Sequence, residues 1–427
     1  MLEAGAIRGG GVRGLARSAG LTCMTAIALW SSALPACAGD EDIASLPVRG
    51  RRHSDYEPAG IRVDAFMFYP SAVASVEYDS NVFAKVNAIS DWALVTAPEL
   101  RVVFERSDGS YELDVGARNY VYKRFDSQDR TDAHARFRAS REITNDFKWD
   151  GQVEIARKYE VQGDSFADTG AAQPVPYRDL QAETSVTKTF NRLGVTIGGR
   201  VRNLAYENVD AIAGGTLDQS FRDGTIVTTT FKPFYEFSPG YRAYARIDLS
   251  RRDYQGEGTL NRDSQGYDAR GGLEFRVTSL VLGSLDVGYL SQDYSNRLIP
   301  TVDGLSASAR VMWLMTPLMT VTMFADRSVA ETAAPGQEGR LDATAGATLD
   351  YELLRNLILS FEGVYKNEEF VGTSRSDDVV RLSAKIDYLF SRGFNFGLQY
   401  NYIDRSSNAP DVDFEKHVIT FNITAQH

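Results

Sequence analysis

The run Tyr241-Arg242-Ala243-Tyr244-Ala245-Arg246-Ile247-Asp248-Leu249-Ser250 decides the fold. In an extended chain, Tyr241, Ala243, Ala245, Ile247 and Leu249 point one way, and Arg242, Tyr244, Arg246, Asp248 and Ser250 point the other. A period of two is the signature of a strand with one apolar and one polar face. The next segment repeats it: Tyr267, Ala269, Leu273, Phe275 and Val277 oppose Asp268, Arg270, Glu274 and Arg276. Farther on, Leu382, Ala384, Ile386 and Tyr388 oppose Arg381, Ser383, Lys385 and Asp387, and Phe394, Phe396, Leu398, Tyr400 and Tyr402 oppose Asn395, Gly397, Gln399 and Asn401.

Working outward from these stretches, the alternation recurs in eighteen segments. They are 62–78, 92–106, 110–123, 130–142, 146–160, 177–190, 192–206, 220–237, 240–255, 265–277, 281–294, 304–316, 318–331, 339–353, 356–370, 379–390, 393–405 and 414–426. The connections alternate too. After even-numbered segments they are tight, as at Ser107-Asp108-Gly109, Asn191, Ser238-Pro239 and Arg355. After odd-numbered ones they are mostly long and polar, as at Gln162 to Pro176, Asn208 to Gln219 and Gln255 to Ser264. Short turns on one side and long loops on the other describe an outer-membrane barrel. A bilayer requires every backbone polar group to be paired within the protein, so a spanning sheet must close. A soluble sandwich would carry fewer charges within its strands, and no blade motif at a propeller period is present. The expected fold is therefore all-β: a transmembrane antiparallel β-barrel of 18 strands (16–18 allowing for boundary error), with periplasmic turns and extracellular loops. Pro70, Pro98 and Pro233 fall inside expected strands and suggest bulges or strand ends.

Composition agrees. The 427 residues are 43% hydrophobic, 24% charged and 11% aromatic, with a formal charge of −11. The negative mean hydropathy excludes a helical membrane bundle. The acidic balance argues against a nucleic-acid partner. Two cysteines cannot make a disulfide framework or a Cys-rich zinc site.

The amino-terminal stretch reads as an address. Arg8, Arg13 and Arg17 precede an apolar run from Leu21 to Leu34, too short to span a bilayer, and Ala36-Cys37-Ala38 has the small-x-small form of a cleavage site. Residues 1–38 are expected to be a secretory signal peptide, followed by a polar periplasmic segment over 39–60 and the barrel over 61–427. Losing the leader's three arginines and one glutamate takes the formal charge from −11 to −13 and removes both cysteines. An alternative is Leu34-Pro35-Ala36-Cys37 as a lipoprotein site acylated at Cys37. Gly9, Gly11 and Gly14 satisfy G-x-G-x-x-G, but no strand precedes them, so the match carries no dinucleotide chemistry.

Short motifs extend the reading. Val76-Glu77-Tyr78-Asp79-Ser80-Asn81-Val82-Phe83, Arg251-Arg252-Asp253-Tyr254, Asn261 to Tyr267, Gly288 to Tyr294, Thr316-Pro317-Leu318 and Tyr351 to Leu357 occur in an order and spacing that resembles the proteobacterial outer-membrane β-barrel porin type 2 family. The resemblance covers roughly residues 60–424 and implies a barrel in the outer membrane of a Gram-negative bacterium. Relatives are often associated with exopolysaccharide export, so the resemblance implies glycan passage as one role. It brings no catalytic residues. One departure is the carboxyl end, Phe421-Asn422-Ile423-Thr424-Ala425-Gln426-His427, which lacks the terminal aromatic usual in such barrels.

The polar strand faces supply the candidate site. Expected lumen-lining residues are Arg242, Arg246, Asp248, Arg270, Glu274, Arg276, Arg310, Arg381, Lys385, Asp387, Tyr120 and Tyr244. Two readings stay open: a self-neutralising lattice of cross-strand ion pairs, or a basic stripe of Arg242, Arg246, Arg270 and Arg276 that binds an anionic or hydroxyl-rich solute. Aromatics near strand ends, among them Phe68, Tyr69, Tyr120, Tyr122, Phe125, Phe231, Phe234, Tyr235, Phe237, Tyr289, Tyr294, Tyr400 and Tyr402, are candidates for interfacial girdles, or in part ordinary sheet residues of high β propensity. No G-x-S-x-G, HExxH, Walker A or EF-hand pattern is present, and no cofactor or metal is expected. His134, flanked on its face by Asp132 and Arg136, is the one histidine that a lipid-hydrolysing barrel could use. Acidic loop residues such as Asp164, Asp218, Asp263, Asp303, Asp378 and Asp413 could hold divalent ions or simply be solvated. The basic segment around Arg49, Arg51, Arg52 and His53 is by default a disordered tail, though it could reach periplasmic partners or enter the lumen.

The expected function is a channel passing or exporting a polar solute such as a polysaccharide. The alternatives are a closed structural or docking barrel and, last, a lipid-hydrolysing enzyme. Expected partners are outer-membrane lipid and lipopolysaccharide, the barrel-assembly machinery and polysaccharide export components.

Overall fold

The computed structural model describes residues 46–51, 53–164, 170–258, 261–330 and 339–427. The leader expected over 1–38, with Cys37, lies outside the described residues. Among the described residues no helix is long and apolar enough to cross a membrane. The chain instead forms eighteen long strands. They are β1 (Phe66–Asp79), β2 (Asp91–Arg106), β3 (Gly109–Tyr122), β4 (Arg130–Thr144), β5 (Phe147–Glu160), β6 (Val175–Phe190), β7 (Leu193–Tyr206), β8 (Gly224–Ser238), β9 (Tyr241–Tyr254), β10 (Ser264–Thr278), β11 (Val281–Tyr294), β12 (Val302–Thr316), β13 (Met319–Ala330), β14 (Arg340–Leu354), β15 (Leu357–Phe370), β16 (Ser376–Leu389), β17 (Phe394–Ser407) and β18 (Phe414–Gln426). Each pairs antiparallel with the next, and β18 returns to β1, with Ser71 opposite Gln426 and Asp79 opposite Val418. The sheet therefore has no free edge.

Seven of the tight turns leave two residues between strands, and the eighth spans residues 390–393. At these turns Asn191 takes φ 58° and Gly240 φ 80°, the left-handed geometry that asparagine and glycine tolerate best. Register shifts occur just before several of them, between Glu142 and Thr144, Glu236 and Ser238, Arg276 and Thr278, and Glu352 and Leu354. Bulges there let a twisted pair close on a two-residue turn.

The prolines behave differently from expectation. Pro98 and Pro233 sit mid-strand with no register shift. On one side of each strand the ladder simply skips two residues, between Thr96 and Glu99 and between Phe231 and Phe234. Each proline lacks a donor, so the local loss is confined to that side. Pro70 lies where β18 runs out, and its carbonyl accepts the His427 backbone N–H at 3.1 Å. The first expected segment, 62–78, also divides: Ile61–Val63 folds back on Phe66–Phe68 through a turn at Asp64, φ 52°.

The two faces differ as their sequences do. Phe231, Ile247, Leu249, Leu273, Leu285, Val287, Phe361, Leu382 and Leu398 are exposed on the outside. A contiguous apolar belt of this kind belongs against hydrocarbon, not water. Phe66, Phe104 and Tyr111 form a ring cluster at the short-turn end, with centroids 5.1 and 5.6 Å apart, and Tyr78 meets Trp92 at 5.1 Å at the other end. Not every expected girdle residue joins such a belt. Tyr120, Tyr122 and Phe234 are buried on the inner face, where Arg130 and Arg242 cover them.

Candidate functional site

Side chains on the polar face reach across more than one strand. Tyr244 on β9 donates to Asp286 on β11 at 2.6 Å, Lys232 on β8 meets Glu274 on β10 at 2.5 Å, and Ser306 on β12 donates to Asp268 on β10 at 2.6 Å. Such convergence identifies the concave side of a closed sheet, so the charged face is the inner one.

The inner wall is a lattice of opposed charges. Arg136 holds Glu154 at 2.6 Å, and Lys158 bridges Glu154 and Asp179, which also takes Arg202 at 2.9 Å. Arg270 lies between Asp268 at 2.6 Å and Asp286 at 3.2 Å, with Asp326 at 4.0 Å. At the long-loop end of β14–β17, Arg340, Asp342, Lys366, Glu368, Asp377 and Arg405 form a buried cluster; Arg340 and Glu368 are fully buried. Closing the sheet forces these groups out of bulk water, and mutual pairing offsets the desolvation cost.

Aromatic rings fill the remaining inner space over glycines. Tyr244 lies opposite Gly272, Phe234 opposite Gly194 and Phe324 opposite Gly346. A Cβ on Gly272 would stand 2.6 Å from the Tyr244 ring and 2.6 Å from the Leu285 carbonyl. Gly272→Ala is expected to displace Tyr244 from Asp286 and cost about 1–3 kcal/mol. A urea unfolding midpoint equal to that of the wild type would contradict this packing.

At both ends of the barrel, pieces of chain outside the strands pack against inner-wall residues. At the long-loop end, Val82 in the β1–β2 loop is buried against Ala93, Val95, Tyr120 and Tyr122 of the inner wall. Asn81 anchors that loop, donating to the carbonyls of Lys85 at 2.7 Å and Glu415 at 3.0 Å. The β5–β6 and β7–β8 loops pack on each other through Ala171, Val175 and Val209, and Arg222 locks the second of them to Glu160 at 2.7 Å.

At the short-turn end the segment expected as a tail enters the barrel, so that expectation is corrected for residues 46–51. Val48–Gly50 forms a single 3-10 turn, and Val48 is fully buried. The Val48 N–H donates to Thr320 Oγ1 at 3.0 Å. Arg49 spans three strands: it pairs with Asp350 on β14 at 2.7 Å and Asp387 on β16 at 2.9 Å, and donates to Ser360 Oγ on β15 at 3.1 Å. Arg51 lies 3.5 Å from Glu352. Burial pulls the Arg49 pKa down, but Asp387 and Asp350 outweigh it and hold it above the ordinary arginine value. On β14–β16 the wall at this end carries Asp350, Glu352 and Asp387 beside Lys385, and Arg49 and Arg51 of the segment bring positive charge to the three acids. The chain then passes along the rim, where Tyr56 O accepts Gln426 Nε2 at 3.2 Å.

The sequence-derived residues divide into two groups. Arg242 pairs with Glu274 at 3.3 Å, Arg246 with Asp248 at 2.8 Å, and Lys385 with Asp387 at 2.8 Å, while Arg270 is held as described. Three arginines of the expected basic stripe are thus neutralised by neighbours. Arg276, Arg310 and Arg381 share the inner-face parity and form no ion pair among the described residues; Arg310 lies 5.9 Å over the Phe324 ring. Tyr120 sits 3.8 Å beneath Arg130. His134 lies opposite Gly116 and Ala156, neither of them a nucleophile. Loop acids cap backbone: Asp263 accepts from Tyr254 N at 2.6 Å, Asp413 from Ser407 N at 2.6 Å, and Asp164 from Val161 N at 3.1 Å. Among the described residues no group of three or more His, Cys, Asp or Glu is placed to hold a metal ion. An apolar groove of about 420 Å³ beside Val321, Leu349, Phe361, Leu382 and Tyr400 lies on the outer face and is separate from the lumen.

The 46–51 segment is what sequence reasoning undervalued. Its signal is slight: two arginines, Arg49 and Arg51, with acids close by on both sides, Asp40-Glu41-Asp42 before and Asp55 and Glu57 after.

A family model described as "Putative beta-barrel porin 2" matches residues 53–427. No curated protein matches the chain. Among solved structures, Pseudomonas aeruginosa OccK2 (OpdF) in complex with glucuronate is similar at 12% identity and TM-score 0.45, covering 84% of this chain and 98% of that one. P. aeruginosa OpdK with vanillate follows at 11% and 0.43, covering 84% and 99%, and Acinetobacter baumannii OccAB4 at 12% and 0.43, covering 88% and 100%. Likeness at this level says nothing about the solute. The family match spans nearly all of the closed sheet, and the chain belongs to this β-barrel porin family, a porin-like barrel of the Gram-negative outer membrane.

Proposed function

We propose that the barrel is a diffusion channel for small polar solutes, narrowed at its periplasmic end by residues 46–51. The observation that carries this is the bridge from Arg49 to Asp350 and Asp387, which holds a piece of the chain inside the lumen. A wall bearing both signs of charge suits hydrated polar solutes, and Arg276, Arg310 and Arg381 are the cations open to a solute carboxylate. Polysaccharide export, suggested by the resemblance, finds no support in the family match or in the folded-in loops. The same bridge favours one other reading, a closed barrel that acts by docking envelope partners.

Planar-bilayer conductance separates the two. The double variant Asp350→Asn, Asp387→Asn removes both ion pairs of Arg49, leaving its hydrogen bond to Ser360, and should give larger unitary currents than the wild type. Raised salt should narrow the difference, because screening weakens the wild-type anchor. If neither protein conducts at any voltage, the channel reading fails and the closed barrel stands. Equal currents in both would remove the segment from the conduction path.

A further inference from the structure

Outside the lumen, Arg157 on β5 and Arg178 on β6 are directly opposite one another. Both have the outward parity of the apolar belt. One step toward the membrane centre on that face, the facing pair is Ile155 and Leu180, 59% and 45% exposed. The residue facing Arg157 from β4 is Ala133, and the residue facing Arg178 from β7 is Ala205. Two guanidiniums therefore stand side by side at the upper border of the belt, with alanines directly opposite them on the two flanking strands.

Like charges directly opposite on a sheet destabilise it unless something neutralises them. Glu207 takes one fork of Arg157 at 3.0 Å, in a half-exposed pair that solvent screens. Arg157 also lies 5.6 Å over the Tyr159 ring. Arg178 is exposed and forms no ion pair among the described residues. The pair keeps a net positive charge at the long-loop end, the extracellular side, at the level where lipid headgroups of the outer leaflet lie. Adjacent planar guanidiniums match the oxygens of a phosphate monoester, and their weak hydration suits an interface.

We propose that Arg157 and Arg178 bind a phosphate of the outer-leaflet glycolipid, the phosphorylated lipid A of lipopolysaccharide, with its acyl chains along Ile155, Val153 and Leu180. The site tethers the barrel to its lipid and takes no part in conduction.

Native mass spectrometry of the full chain in detergent, titrated with diphosphoryl lipid A and with its dephosphorylated form, tests this. Diphosphoryl lipid A should bind the wild type, and R157Q/R178Q should weaken it by about tenfold or more. R178Q alone, at an exposed position, should show part of the loss, so the test survives a folding defect in the double variant. R251Q removes an outer-face arginine already paired with Asp253 at 3.0 Å and should leave binding unchanged. Binding of the dephosphorylated form as tight as the diphosphoryl form, wild-type affinity in R157Q/R178Q, or an equal loss in R251Q would each overturn the proposal. Competition by millimolar inorganic phosphate as complete as that by lipid A would show a free-anion site instead, and would overturn the lipid assignment.

Discussion

Glu368→Ala is expected to destabilise the barrel by about 3–5 kcal/mol, the cost typical of leaving a buried charge without its partner. Glu368 is fully buried and serves three cations at once: Lys366 at 2.6 Å, Arg405 at 3.5 Å and Arg340 at 3.6 Å. Arg340 is itself fully buried and otherwise paired with Asp342. Removing the carboxylate takes a shared counter-charge from cations on β14, β15 and β17, beside which Asp342 and Asp377 remain. Urea unfolding of the barrel refolded in lipid vesicles would read the loss. Adding Arg340→Met to Glu368→Ala should recover part of it, because the second change removes one of the three cations. A single variant as stable as the wild type would mean that the cluster is hydrated in the open lumen and contributes little.

The second large effect lies on the opposite face. Val287, near the middle of β11, is 56% exposed on the outer belt. Val287→Arg should cost about 2–4 kcal/mol in a bilayer, the penalty for a guanidinium facing lipid at mid-depth. An arginine at Ser308, which faces Asp286 on β11 and Asp326 on β13 across the inner face, should cost far less because carboxylates flank it on both sides. The two sites lie on adjacent strands, so the contrast tests which face meets lipid. Equal tolerance of the two arginines in vesicle refolding would refute the assignment.

How far the sequence reaches is clearest on β11, whose expected span, 281–294, is the observed one. Alternation supplies two facts together, that a segment is a strand and which of its faces is apolar, because a one-residue slip would turn every side chain over. The short and long connections then distinguish the two ends of the barrel. The small hairpin at Ile61–Val63 escaped because its residues continue the alternation of β1, and only the left-handed Asp64 breaks the line. Tyr120 and Tyr122 were ambiguous for a different reason. Tyrosine suits both a membrane interface and a packed inner wall, and the neighbouring Arg130 decides between them.

The candidate site was less legible. That Arg242 and Arg270 face inward follows from parity. That each is already neutralised follows from register, which sets Arg242 beside Glu274, and from curvature, which brings Asp286 to Arg270. The segment around Arg49 has no periodicity to read, and its acids, Asp350 and Asp387, lie some three hundred residues away in the chain. By itself, then, the sequence determined the strands, their apolar and polar faces and the two unlike ends, because local alternation and turn length encode them. Only the tertiary structure decided which charges cancel and what occupies the lumen, because closing the sheet brings distant polar residues together in a space they cannot share unpaired.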